Sequence, residues 1–169
     1  MSPSFRHEKP NLRLGQIVMV LVEELGLEVI CARSTTFRQE VAEKGLEPDD
    51  CFYIAHYTDM VGVEEIDLAI HPRPDLVIEV DNTSSSVPKE PIYAPMGVPE
   101  LWRHDDGAVA IRILQSDGTY ADGVRSLSFP QITAADLDHL LFHTNHLADI
   151  AAIRHYRAWA RTLVPPANP

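Results

Sequence analysis

Residues 73–86, RPDLVIEVDNTSSS, set three carboxylates, Asp75, Glu79 and Asp81, among Leu76, Val77, Ile78 and Val80. The apolar residues read as the centre of a buried β-strand, so the chain must be built around a sheet that tolerates acids at its heart. Successive strand side chains alternate faces, which turns Leu76, Ile78 and Val80 one way and Asp75, Val77, Glu79 and Asp81 the other. At about 3.3 Å per residue, Glu79 and Asp81 stand roughly 7 Å apart and can converge on one ligand, whereas Asp75, about 13 Å from Glu79, is the weakest candidate. Such a pair either demands a cation, for which hard oxygen donors select Mg²⁺, Mn²⁺ or Ca²⁺, or consists of acids solvated at a strand end. A third acid, Asp49 in GLEPDDCFYI, opens a strand expected to pair with 74–81 directly or through 64–70.

The rest of the sequence limits the setting. A chain of 169 residues, 45% hydrophobic and 23% charged, fits one soluble domain, placed at 1–164 with the closing PPANP of 165–169 as a flexible tail. The first ten residues carry no apolar signal-like stretch, and the longest apolar run, Ile17 to Val22, is far short of the roughly 20 residues of a membrane helix. The expectation is a cytoplasmic protein. Cys31 and Cys51 lack CxxC spacing and sit among apolar residues, which predicts buried reduced thiols and no zinc site. The formal charge of −11 repels polyanions unless basic residues cluster. Arg154, Arg157 and Arg161 do share one side of the last helix, and are read first as a solvated face.

Apolar spacing over 11–25 predicts a helix with Asn11 as its N-cap and Gly26 at its end. Strands are expected near 28–36, 47–56, 64–70 and 74–81, separated by turns such as EKG and HPRP, with 37–46 short enough to join antiparallel neighbours. Ser84, Ser85 and Ser86 suit capping of a short helix that starts near Pro88, with Pro91 in its first turn. Asp106-Gly107 and Asp117-Gly118 mark hairpins between two or three later strands. Thr133 caps a helix running to His143, and 146–163 forms another. This order defines an α/β (α+β) fold: one mixed sheet flanked by helices, with a helical pair at the C-terminal end.

EPDDCFYI, PRPDLVIEVDNTSSS, Lys89 with Tyr93, and GVPELW occur in that order, and together they resemble the Uma family of restriction endonucleases, domain of unknown function 820, within the PD-(D/E)XK nuclease superfamily. The similarity spans most of the chain. It implies a restriction-endonuclease-like core in which Asp49 resembles the acid of the first motif and Glu79 that of the second. The superfamily's lysine usually stands two residues after that Glu, where this chain has Asp81; in the Uma branch a lysine often lies four residues before a tyrosine, which Lys89 and Tyr93 match. The implied site is a Mg²⁺, or Mn²⁺, held by Asp49, Glu79 and the Val80 carbonyl, with Lys89 orienting the nucleophile or neutralising charge on the phosphate, and DNA as substrate. Asp81 either completes a second metal site or adds repulsion.

Other residues take simpler roles. His56, His71 and His104 lack metal-ligand spacing and are read as surface or hydrogen-bonded residues. Trp102 is expected to pack on the sheet, and Tyr93 to pack under the short helix with its hydroxyl bracing Lys89. The arc of Ile150, Ile153, Tyr156 and Trp159 is either core or a subunit contact, and a homodimer is expected from it and from the edge of the later strands. Two functions follow: a metal-dependent endonuclease, or a catalytically silent nuclease-like fold acting as a dimeric binding or regulatory module.

Overall fold

The computed structural model describes residues 5–35, 37, 47–81, 89–105 and 107–164. Its sheet runs in chain order: β1 (Ile30–Cys31), β2 (Asp50–Tyr53), β3 (Leu76–Val80), β4 (Glu100–Asp105), β5 (Ala108–Leu114) and β6 (Tyr120–Asp122). Every neighbouring pair is antiparallel except β3 and β4, which are parallel. Parallel neighbours need a crossover, and α3 (Glu90–Met96) lies within it. That connection brings Lys89 and Tyr93 over the strand that carries the acids.

The two faces of β3 are covered differently. Leu76, Ile78 and Val80 join Ile17, Leu21, Phe52 and Trp102 in the larger core. Helices α1 (Phe5–Leu25), α4 (Ala134–Thr144) and α5 (Asp149–Ala160) all contribute to it, and a single helical turn, α2 (Tyr57–Met60), follows β2. Val77 faces the other way and packs with Cys51, Tyr93, Met96 and Leu101. The alternation read from the sequence therefore holds along β3, and Glu79 falls on the side of the smaller core. Trp102 is fully buried in the larger one.

Several boundaries differ from expectation. Helix α1 begins at Phe5 with Pro10 inside it, so Asn11 is an interior residue and no N-cap. A proline so near the start removes only the bond to the Arg6 carbonyl, a small loss at a helix end. Gly26 ends the helix with φ 66°, as the sequence suggests. The strand expected at 28–36 contracts to Ile30–Cys31, because Arg33 adopts a left-handed φ of 56° that extended pairing does not allow. No strand forms over 64–70: the Asp67 carboxylate accepts from Ala69 N–H at 2.9 Å, and its carbonyl accepts from Ile70 and His71 N–H at 3.1 and 2.7 Å. Local turn bonds there replace a ladder, so β2 pairs with β3 directly. Cys31 is exposed, against expectation, while Cys51 is buried. The EKG turn, the serine run, Pro88 and the 165–169 tail lie outside the described residues, as does most of the 37–46 connection.

The later half follows its sequence signals closely. Gly107 and Gly118 take positive φ at the two Asp-Gly turns. Thr133 caps α4 through a reciprocal pair of bonds with Asp136, Thr133 Oγ1 accepting from Asp136 N–H at 3.3 Å and the Asp136 carboxylate accepting from Thr133 N–H at 2.8 Å. Thr133→Ala is expected to cost about 1 kcal/mol in urea denaturation, since it removes the hydroxyl that accepts from Asp136 N–H and leaves only the backbone half of the exchange. On α5, Tyr156 is buried and Ile153 and Trp159 pack against the larger core, leaving Ile150 exposed. The arc is thus largely filled within the chain. Arg157 pairs with Glu23 and Glu24, and Arg161 with Glu24, so two members of the basic stripe are spent on α1.

Candidate active site

Asp50 lies opposite Ile78 in the β2–β3 register, and continuing that register by one residue sets Asp49 opposite Glu79. Both residues are offset by one from the inward face of the larger core, so they share the α3 side of the sheet. Asp49 Oδ2 accepts from Val80 N–H at 2.7 Å, replacing a ladder bond at the end of β2. Asn11 Nδ2 donates to the Asp49 carbonyl at 3.2 Å, which ties this end of β2 to α1. A strand residue's N–H and C=O point to the same side, so the Val80 carbonyl also lies on the Asp49 side of β3.

Glu79 is only 3% exposed. Its Oε2 accepts from Lys89 Nζ and its Oε1 from the Tyr93 hydroxyl. Lys89 precedes α3 and Tyr93 stands one turn into it, so both reach down to the same carboxylate. The Tyr93 hydroxyl therefore braces Glu79, and not Lys89 as the sequence suggested. Burial pushes the Glu79 carboxyl up to about 7; Lys89 opposes this rise and the neighbouring Asp49 charge adds to it. The same burial and the Glu79 charge hold the Tyr93 phenol far above its usual range, so it stays a donor.

These shifts fix the sign of a pH effect. A carboxyl whose folded value lies above its unfolded one weakens the fold as pH rises between the two. The metal-free protein should therefore lose a few kcal/mol of stability from this group between about pH 4.5 and pH 7. Glu79→Gln should remove that part of the slope, as read by urea denaturation of both proteins at pH 5 and pH 8.

Asp81 is engaged elsewhere. Its Oδ2 accepts from Arg103 Nε, and Arg103 Nη2 lies 3.6 Å from Asp105. Arg103 is the direct partner of Glu79 in the parallel β3–β4 register. Glu79, Asp81, Lys89, Glu90, Leu101 and Arg103 line one small cleft. Asp75 closes a different corner, accepting from Ile54 and His56 N–H at 2.7 and 3.1 Å and meeting His56 Nδ1 at 2.6 Å. It takes no part in the cleft. His71 accepts from Asp67 N–H at 3.0 Å, in keeping with a structural role.

The structure thus brings Asp49, Glu79, Val80 and Lys89 together, places Asp81 beside them in an ion pair, gives Tyr93 a different partner from the one expected, and adds Arg103, which the sequence did not assign. Tyr93 was visible by its spacing from Lys89, though not its choice of partner. Arg103 had no comparable signal, because only the parallel register sets it beside Glu79. Among the described residues, no group of three or more His, Cys, Asp or Glu side chains converges as a metal site. The hard-oxygen donors on hand are two carboxylates and a backbone carbonyl. That set fits an ion such as Mg²⁺, which retains several waters and takes only one or two carboxylates.

A six-stranded mixed sheet flanked by helices thus carries two carboxylates, Asp49 and Glu79, and Lys89 on one face. A solved structure from Anabaena variabilis ATCC 29413, described as "a putative nuclease belonging to DUF820", aligns over 82% of this chain and 83% of its own, with a TM-score of 0.54 and 18% identity. At that identity the likeness concerns the fold. The Uma2 family, described as "Putative restriction endonuclease", matches residues 1–136. This chain belongs to the Uma2 family. No curated protein gives a match. The matched span includes the whole cleft and stops just inside α4, so the C-terminal helical pair lies largely beyond it.

Proposed function

We propose that this protein is a metal-dependent endonuclease that hydrolyses phosphodiester bonds of DNA, with Asp49, Glu79 and the Val80 carbonyl as the protein ligands of Mg²⁺ or Mn²⁺. The observation that carries the reading is the opposed register of Asp49 and Glu79, two like charges on one face whose repulsion a cation would relieve. Membership of the Uma2 family supports the nuclease class. The bound ion would supply a water of lowered pKa and polarise a phosphodiester oxygen.

The chain's own groups have separate tasks. Tyr93 and α3 hold Glu79 in one orientation, so its oxygens need little rearrangement. Lys89 carries a compact charge on a flexible stem, suited to orienting the nucleophile or neutralising charge that grows on the phosphate. Burial around Glu79 strengthens each of these interactions relative to water. The test is cutting of supercoiled plasmid by purified protein with Mg²⁺, Mn²⁺ or EDTA. Cleavage with either metal and none with EDTA is expected. Absence of cleavage on any nucleic acid with either metal would favour the silent module instead.

The homodimer belongs to this proposal on narrower grounds than the α5 arc. Strand β6 is a three-residue edge, and nearby Val124 and Leu127 are 84% and 54% exposed. A second copy covering that edge would bury both. Light scattering at micromolar concentration should give twice the chain mass, and a monomer mass would contradict it.

A further inference from the structure

Asp81 adds a negative charge beside Glu79, where a polyanionic substrate must approach. Its carboxylate is 10% exposed and is met by Arg103, whose side chain is 27% exposed and opens into the cleft. We infer that Arg103 is the substrate's phosphate contact in this cleft, and that Asp81 serves as the holder of that arginine and not as a metal ligand. The inference rests on the nuclease reading and assigns two residues within it.

Three observations support the assignment. First, neighbouring strands lie about 4.8 Å apart, so the register places the Arg103 backbone directly beside Glu79 and closer than Asp81, which stands roughly 7 Å away as the next residue on the same face. Second, the Arg103 guanidinium is engaged from one side only. Nε goes to Asp81 and Nη2 faces Asp105 at 3.6 Å, which leaves Nη1 without a partner among the described residues. A guanidinium held at Nε keeps the planar edge that matches a phosphate, and being held in advance lowers the cost of ordering it on binding. Third, Lys89 is the other cation lining the cleft and is placed on Glu79 at the reacting centre, so a phosphate contact beyond that centre falls to Arg103. With a net charge of −11, a single well-placed guanidinium matters more than it would on a basic surface.

The experiment uses full-length wild type, Arg103→Gln, Arg103→Lys and Asp81→Asn, each confirmed folded by its melting curve. Affinity for a short labelled DNA duplex is measured across a salt series with Ca²⁺ in place of Mg²⁺, and Tm is measured with and without Mn²⁺. Arg103→Gln should weaken binding by about tenfold and reduce the slope of log K against log salt by about one, and Arg103→Lys should keep the slope. Asp81→Asn should leave the Mn²⁺-induced rise in Tm unchanged. A wild-type affinity and slope in Arg103→Gln, with wild type still cutting plasmid, would overturn the inference and leave the nuclease reading standing. Loss of the Mn²⁺ effect in Asp81→Asn would make Asp81 a ligand and overturn it equally. Wild type that neither binds nor cuts DNA would remove both.

Discussion

Replacing Glu79 with alanine is expected to lower Mg²⁺-dependent plasmid cleavage by on the order of a hundredfold or more. The residue is nearly sealed from water, opposes Asp49 across two strands, and is gripped by Lys89 and Tyr93. Its removal takes away half of the carboxylate charge offered to a cation. It also leaves an ammonium and a phenol facing a void, so a folded control is needed, and Glu79→Gln supplies one by keeping the side chain's volume. Both variants should lose cleavage, and both should lose the rise in Tm produced by Mn²⁺ on wild type. Cleavage unchanged in either variant would mean that the activity belongs to a contaminant.

Lys89→Ala should lower kcat by at least about tenfold without weakening the metal. Its ammonium meets Glu79 Oε2, so it would compete with a cation for that oxygen even as it assists the reaction. Removing it should therefore leave Mg²⁺ affinity the same or tighter, while the reaction loses a charge placed to act on the phosphate. Activity and metal affinity moving together in this variant would contradict the separation of roles. Measuring kcat by single-turnover cleavage, and metal affinity by Tm against Mn²⁺ concentration, reads the two apart.

The parts of this site that could be read from sequence were those fixed by local periodicity. Alternation along Leu76–Val80 correctly set Glu79 on the opposite face from Ile78, because side-chain direction in a strand depends on the strand alone. The Asp-Gly turns and the Thr133 cap were equally local. What escaped depended on register between distant segments. Arg103 neutralises Asp81 only because β4 runs parallel to β3 in one particular alignment, and no pattern within residues 100–105 announces that. The start of α1 escaped for another reason: the apolar spacing begins only after Asn11, whereas the helix extends back to Phe5 and accommodates Pro10 within its opening turns. The strand expected at 64–70 failed because Asp67 satisfies nearby N–H groups itself, a competition that a hydrophobic pattern does not register.

The central claim is that Asp49 and Glu79 hold one cation between them. Anomalous scattering from a crystal soaked in Mn²⁺ tests it most directly. The account predicts a single strong peak within about 2.2 Å of an oxygen from each of Asp49 and Glu79, near the Val80 carbonyl, with Asp81 still on Arg103. A peak seated on Asp81, or no peak at this cleft from crystals that otherwise bind Mn²⁺, would contradict it.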